Sequence, residues 1–165
     1  MAFWNEEIET MPREELEKLQ LKLLREKVKE MYEASPFFKD RMDAAGISPE
    51  EIDSFEKFRK VPFMRKSDLR DYYPDGLFVR PYDDLVRIHV SSGTTGRPTV
   101  VGYTKRDMDT WTESLARGMT SFGMSNKDML QNCHGYGLFT GGLGVHYGAE
   151  RIGATVLPTG TGNTS

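Results

Sequence analysis

Pro81 divides the chain into two textures, and that division limits what it can fold into more than any other feature. Before it, apolar residues recur at helical spacing and the punctuation is that of helix caps; after it, short β-prone runs alternate with helical ones. Thr10, with Pro12 just inside, reads as a helix start. Leu16, Leu19, Leu23, Leu24, Val28, Met31 and Tyr32 then lay one apolar stripe on a helix running to about Ala34. Ser35-Pro36 restarts a helix that Gly46 stops, with Ser as N-cap and Pro at the first helical position. Ser48-Pro49-Glu50-Glu51 repeats the pattern as a capping box. Pro62, Pro74 and Pro81 leave room only for a short helix near Lys66 to Tyr72. Residues 1–80 are therefore expected to form a helical subdomain.

Beyond Pro81, Leu85 to Val90 and Thr99 to Tyr103 read as strands joined into a hairpin by a wide polar tip. A helix over Asp107 to Phe122 follows, with Met108, Trp111, Leu115 and Met119 on one core-facing side. Asp128 to His134 is strand-like, Gly141 to Ile152 helical, and Thr155 to Leu157 strand-like again. This alternation predicts an α/β region over residues 81–165, with crossover helices and the start of a parallel sheet. The chain then ends "LPTGTGNTS", which would leave a sheet edge unpaired, so the expectation is a piece of something longer.

Composition narrows the functions. At 165 residues with 38% apolar and 28% charged side chains, a folded core is expected rather than disorder. Acidic and basic residues interleave, no Lys/Arg stripe stands out, and the net charge of −3 gives no reason to expect nucleic acid as a partner. No apolar run approaches the roughly 20 residues that span a bilayer, and the N-terminus has neither the basic nor the apolar region of a secretory signal. The expected setting is cytoplasmic, away from membranes. One cysteine, Cys133, allows no internal disulfide and no cysteine-based zinc site, and it reads as a small buried apolar residue. Metal ligands are not expected in this chain.

The hairpin tip carries the chemistry. In "SSGTTGRPT", Gly93 and Gly96 let backbone N–H groups approach a ligand closely, while Ser91, Ser92, Thr94 and Thr95 add short hydroxyls and Arg97 adds charge. Successive N–H groups in such a turn form a concave anion nest suited to a polyphosphate. A Walker loop would place Lys-Ser/Thr at the start of a helix; here Pro98 and a strand follow the cation. By composition alone, a surface hairpin rich in turn formers fits equally well. A second motif, "HGYGLFTGGLGVHYGAER", mixes aromatics with glycines. Tyr136 and Phe139 read as walls of an apolar slot, with Gly135, Gly137, Gly141 and Gly142 keeping backbone near a ligand. Core packing at a strand-to-helix junction is the competing account, preferred for Phe139 taken singly, whereas Tyr136 sits where ligands gather in open α/β sheets. His146 reads as a satisfied packing histidine, His89 as structural, and His134 as a neighbour of the site without a partner.

"SSGTTGRPT" resembles the phosphate-binding signature of the adenylate-forming superfamily, whose usual form is Ser-Gly-Thr-Thr-Gly-Lys-Pro; Arg97 stands where Lys is usual, a planar fork in place of a point charge. "VRIHVSSGTTGRPTVVGYT", "DTW" and "GYGLFTGGLGVHYGAERIGATV", with "LQLKLLREKVKEMYEASPFF" and "KSDLRDYYPDGLF" before them, are similar to the phenylacetate–CoA ligase family over nearly the whole chain. The resemblance implies part of the large N-terminal domain of an adenylate-forming enzyme. It implies ATP, Mg²⁺ and coenzyme A as reaction partners of the full-length enzyme, and phenylacetate or a similar aromatic acid as substrate. Ser91, Ser92, Gly93, Thr94, Thr95, Gly96 and Arg97 would hold ATP phosphates, and Tyr136, Gly137, Phe139, Gly141 and Gly142 the acid. The family's adenine and ribose motifs, its Mg²⁺-holding glutamate and its C-terminal catalytic lysine lie further along. No catalytic residue is thus expected in this chain, the rest of the same polypeptide is a required partner, and the piece alone is expected to be inactive. The family also pairs into dimers, for which the long N-terminal helix is a candidate surface. The alternatives are a related ligase or adenylate former taking a different acid, and a non-catalytic binding module.

Overall fold

The computed structural model describes residues 3–91 and 97–162. Seven α-helices and four strands are described: α1 (Glu6–Glu9), α2 (Arg13–Ala34), α3 (Pro36–Ala44), α4 (Phe55–Phe58), α5 (Lys66–Asp71), β1 (Leu85–Val90), β2 (Val100–Thr104), α6 (Lys105–Ser121), β3 (Met129–Gln131), α7 (Thr140–Ile152) and β4 (Thr155–Leu157). They form two compact units, one of residues 10–82 and one joining residues 3–9 to 83–162.

In the helical unit, α2 starts at Arg13 with Pro12 at its N-cap, three residues later than Thr10 suggests, and no side chain caps it. Ser35 ends α2 and begins α3: its N–H donates to the Met31 carbonyl (3.0 Å), and its Oγ accepts the Phe38 N–H (3.4 Å). That sharp reversal folds α3 back on the last turns of α2. The core therefore gathers Val28, Phe37, Phe38, Met42 and Ile52, with Met31, Tyr32 and Phe58 against it. Of the expected α2 stripe only Val28 is fully buried, and Leu23 is exposed, because α3 covers one end of a 22-residue helix and leaves the other uncovered. Ser48 makes the anticipated capping box: its N–H donates to the Glu51 carboxylate (3.1 Å) and its Oγ accepts the Glu50 N–H (3.3 Å). Arg41 ties α3 to α5 through Asp68 (2.9 Å) and the Phe63 carbonyl (2.8 Å). Lys18, Lys22, Arg25 and Lys29 do share one face of α2, a grouping the linear charge pattern hides; they line a groove of about 460 Å³ with Glu26 and Glu50 among them.

The second unit is the α/β part. β1 and β2 pair antiparallel with Val90 opposite Val100, and β3 and β4 pair parallel with Leu130 opposite Val156. The β3–α7–β4 segment is thus a crossover unit around a parallel pair, as the alternation predicts. The expected continuation does not hold for β2 and β3, which belong to separate two-stranded sheets among the described residues. One reason lies at the free edge of β1, where the Val90 N–H donates to the Leu138 carbonyl (3.0 Å), so an irregular segment occupies that position.

Helix α6 begins at Lys105 because Thr104 and Asp107 form a reciprocal capping box: the Thr104 N–H donates to the Asp107 carboxylate (2.9 Å) and Thr104 Oγ1 accepts the Asp107 N–H (3.2 Å). It lies directly on α7. A Cβ added at Gly144 would sit 2.6 Å from Trp111 Cζ2, and one at Gly148 would sit 2.6 Å from Leu115 Cβ. Both distances are well inside the 3.5–4.0 Å carbon contact optimum, so this helix pair depends on two residues without side chains at i and i+4. Residues 3–9 join the same unit through Glu113 on α6, which takes hydrogen bonds from Trp4 and Arg151; these hold its carboxyl below the usual glutamate range, against an opposing effect of burial. No helix among the described residues is long and apolar enough to cross a membrane.

Candidate functional site

Strand β1 delivers the polar loop, and its two ends are joined at Ser91 and Thr99. The Ser91 N–H donates to the Thr99 carbonyl (2.9 Å), and the Thr99 N–H donates to Ser91 Oγ (2.8 Å). Ser91 therefore closes the neck of the loop with both its backbone and its hydroxyl oxygen, a use the sequence reading does not assign to it. Arg97 is exposed beyond the neck. Ser92, Gly93, Thr94, Thr95 and Gly96 lie outside the described residues.

The second motif meets this strand at two places: the Tyr147 hydroxyl accepts from the Arg87 guanidinium (3.2 Å), and the Leu138 carbonyl takes up the end of the strand. The Leu138 carbonyl accepts the Val90 N–H at 3.0 Å and lies 2.9 Å from His89 Nδ1. A carbonyl can only accept, so His89 carries its proton on Nδ1. The His89 ring is 4% exposed, and its edge contacts are with Tyr103 (centroids 5.4 Å apart) and Trp111 (5.6 Å). Tyr103 in turn stacks on Trp111 at 5.6 Å, and burial raises its phenol pKa above the ordinary value, with Asp107 adding to the shift. His89 is thus structural in a specific sense: it joins the strand that leads into the loop to the segment that leads into α7.

Within that segment, Tyr136 is half-buried and tightly bonded. Its Oη is 2.8 Å from Asn132 Nδ2 and 3.0 Å from His146 Nδ1, and His146 Nε2 is 3.0 Å from Glu150 Oε1. Asn132 is the hub that sequence reasoning missed. It is 4% exposed, its Nδ2 also donates to the Gly142 carbonyl (2.8 Å), and its Oδ1 accepts the His134 N–H (3.1 Å). The signal available was a strongly polar residue inside a strand-like run, which shortens the expected Asp128–His134 strand to Met129–Gln131.

The other residues expected beside the acid fall in different surroundings. Gly137 is exposed with open space beside its Cα. Phe139 is exposed at the N-cap of α7, so the alternative of core packing does not hold for it. Gly141 is exposed beside the His134 ring, whereas Gly142 is buried, and a Cβ there would stand 2.4 Å from the Gly135 carbonyl oxygen. The chain itself therefore requires glycine at 142, apart from any ligand. Cys133 is exposed, against the expectation of a buried thiol: it lies beyond the end of β3, where its Sγ accepts from the Thr159 hydroxyl (3.4 Å). Among the described residues there is no group of three His, Cys, Asp or Glu side chains that could hold a metal ion.

No protein-family model matches the chain. It is 49% identical over 158 residues to the phenylacetate–coenzyme A ligase of Thermus thermophilus, which covers 96% of this chain and 36% of that protein. It is 50% identical over 157 residues to the Escherichia coli enzyme of the same name, at 95% and 36% coverage. In three dimensions it superposes on 2-hydroxyisobutyryl-CoA ligase in complex with 2-HIB-AMP and CoA, in an open conformation, with a TM-score of 0.89 and 30% identity over 99% of this chain and 39% of that one. The thioesterification-state structure of the same ligase gives a TM-score of 0.89 at 31% identity, covering 35% of its length. The chain therefore spans about a third of the proteins it matches. In sequence the likeness is thus to phenylacetate–coenzyme A ligases, and in fold to an acyl-CoA ligase in complex with its acyl-adenylate and CoA.

Proposed function

We propose that this chain supplies the polyphosphate loop and part of the acid site of an ATP-dependent, AMP-forming ligase that converts phenylacetate or a similar aryl acid to its CoA thioester. In this reading, residues 1–80 and 81–165 are successive parts of the enzyme's large N-terminal domain, and the remaining machinery lies in other parts of the polypeptide. The acid's carboxylate oxygen attacks the α-phosphorus of ATP. The bond to the bridging oxygen breaks, pyrophosphate leaves, and the acyl-adenylate forms; the CoA thiol then displaces AMP at the acyl carbon and gives up its proton. Residues Ser92 to Gly96 and the Arg97 guanidinium would meet the β- and γ-phosphates, stabilising negative charge as it builds on the leaving group. Mg²⁺, when bound, would share that charge; the described residues offer it no ligand cluster, so its ligands are assigned to the nucleotide and to other parts of the enzyme. Tyr136, Gly137, Phe139, Gly141 and Gly142 would border the acid, with Gly142 contributing by its compactness.

The observation that carries this reading is the Leu138 carbonyl bonded to both His89 and Val90, since it holds the entrance of the phosphate loop against the start of the acid segment. Two reactants that must meet in line gain most when their holders are rigidly joined. The near-50% identity to phenylacetate ligases favours an aryl acid over the small hydroxy acid of the structural neighbour. The test is pyrophosphate release by the full-length polypeptide carrying this segment, across phenylacetate, benzoate, indoleacetate and 2-hydroxyisobutyrate. Phenylacetate should give the highest kcat/KM. Arg97→Ala should slow release about 10²–10³-fold, the usual loss for one charge-stabilising donor. An unchanged rate in that variant would remove the role given to the loop.

A further inference from the structure

Four side chains in the acid segment form a continuous array whose proton directions are determined by its ends. The Gly142 carbonyl only accepts, so the Asn132 atom 2.8 Å from it is the amide nitrogen, and that same Nδ2 donates to Tyr136 Oη at 2.8 Å. That oxygen could accept a second bond, so the direction of its proton comes from the far end: the Glu150 carboxylate only accepts, the neutral imidazole gives it Nε2–H, and the phenolic proton goes to His146 Nδ1, 3.0 Å away. His146 Nδ1 is then the bare nitrogen, and Nε2–H donates to the Glu150 carboxylate at 3.0 Å. Every donor has an acceptor, and no step can be reversed without leaving a group unpaired. The Tyr136 and His146 rings meet edge to face at 5.6 Å. The next ring, Tyr147, contacts His146 at 5.4 Å and carries the Arg87 guanidinium 4.8 Å over its face.

We propose that His146, oriented by Glu150, is a positioning residue that consumes the only proton of the Tyr136 hydroxyl and so presents the ring of Tyr136, not its hydroxyl, to the acid. This rests on the reading of Tyr136 as part of the acid site. Its consequence is a specificity rule. Tyr136 offers a bound acid an immobile apolar surface and no hydrogen-bond donor, so an unsubstituted aryl group is accepted and a ring hydroxyl facing Tyr136 finds no donor there. A pocket without a partner for a polar group penalises that group by its lost hydration. Glu150 serves at one remove, holding the imidazole in the tautomer whose bare nitrogen faces the phenol.

Two measurements test this. In the full-length enzyme, His146→Leu removes the acceptor while His146→Asn keeps an oxygen in its place. His146→Leu should raise KM for phenylacetate about fivefold to tenfold, the scale of one net hydrogen bond, with KM for ATP and kcat within twofold. His146→Asn should restore most of the loss. Equal changes in the KM for acid and ATP, or no rescue by Asn, would overturn the proposal. If the unsubstituted enzyme released no pyrophosphate with any aryl acid, the functional reading would fall instead. The second measurement is independent of activity: long-range ¹H–¹⁵N spectra of this chain at about pH 8, above the ordinary histidine range. His146 should carry its proton on Nε2, and Tyr136→Phe should shift the His146 Nδ1 resonance without moving those of His89. A proton on Nδ1, or an unmoved resonance, would overturn the array itself.

Discussion

Gly144→Ala tests the packing of α7 on α6, because two opposed effects can be sized from the same structure. The new Cβ would lie 2.6 Å from Trp111 Cζ2, 2.9 Å from Cε2 and 3.0 Å from Nε1. Restoring an ordinary contact needs a shift of about 1 Å. The indole has nowhere to swing, since it stacks on Tyr103 and meets the edge of His89. Helices α6 and α7 must part instead, and overpacking of this kind costs about 1–3 kcal/mol. Alanine also favours helix over glycine by about 1 kcal/mol. Gly118→Ala on α6 isolates that second effect, since its Cβ would meet nothing within 4 Å. Gly118→Ala should therefore stabilise by about 1 kcal/mol, with Gly144→Ala about 1–3 kcal/mol worse than it. At a urea slope of about 2 kcal/mol/M, the midpoints should differ by about 0.5–1.5 M. Tryptophan fluorescence suits the measurement, because Trp4 and Trp111, the two in the chain, both belong to the unit that contains α6 and α7. If both variants moved by the same amount in the same direction, the close helix contact would not exist in solution.

Two further outcomes follow from the same unit. Glu113 has its folded pKa depressed, so its contribution is fully present above the unfolded value of 4.5 and is lost as pH falls through the folded pKa; Glu113→Gln should flatten the decline in urea midpoint below about pH 4.5, and an unchanged acid limb would refute the Trp4 and Arg151 bonding. Asn132→Ala leaves the Tyr136 hydroxyl, the Gly142 carbonyl and the His134 N–H each short of a partner, so a loss of about 1–3 kcal/mol is expected by the same fluorescence titration, with a shift under 0.5 kcal/mol counting against the hub role.

Local signals carried well into the structure where their partners were also local. Ser35-Pro36, Ser48 with Glu51, and Thr104 with Asp107 are caps whose donors and acceptors sit within four residues, and all three form. The last is two residues ahead of the expected helix start because the hydroxyl and carboxylate define the boundary before the apolar stripe begins. Non-local partners were illegible. Nothing in "QNCHGYG" reveals that Asn132 will face Gly142 and Tyr136, or that Cys133 will be exposed. The roles of Gly144 and Gly148 were illegible for a related reason: a missing side chain looks the same in sequence whether a ligand or another helix fills the space. The i, i+4 spacing of Gly144 and Gly148 was the available clue to a helix partner. The Leu138 carbonyl, which joins the two motifs, has no sequence signature at all, since every residue has one.

The bare ridge of α7 also bears on how such a protein could diversify. With Gly144 and Gly148 already pressed against α6, that face admits no enlargement, and the helix cannot be rebuilt from behind. In the proposed acid site, freedom to vary lies in the stretch from His134 to Phe139, where several side chains are exposed and Gly137 has empty space beside it. Libraries aimed at new acids should be concentrated there, leaving the two helices as an inherited chassis.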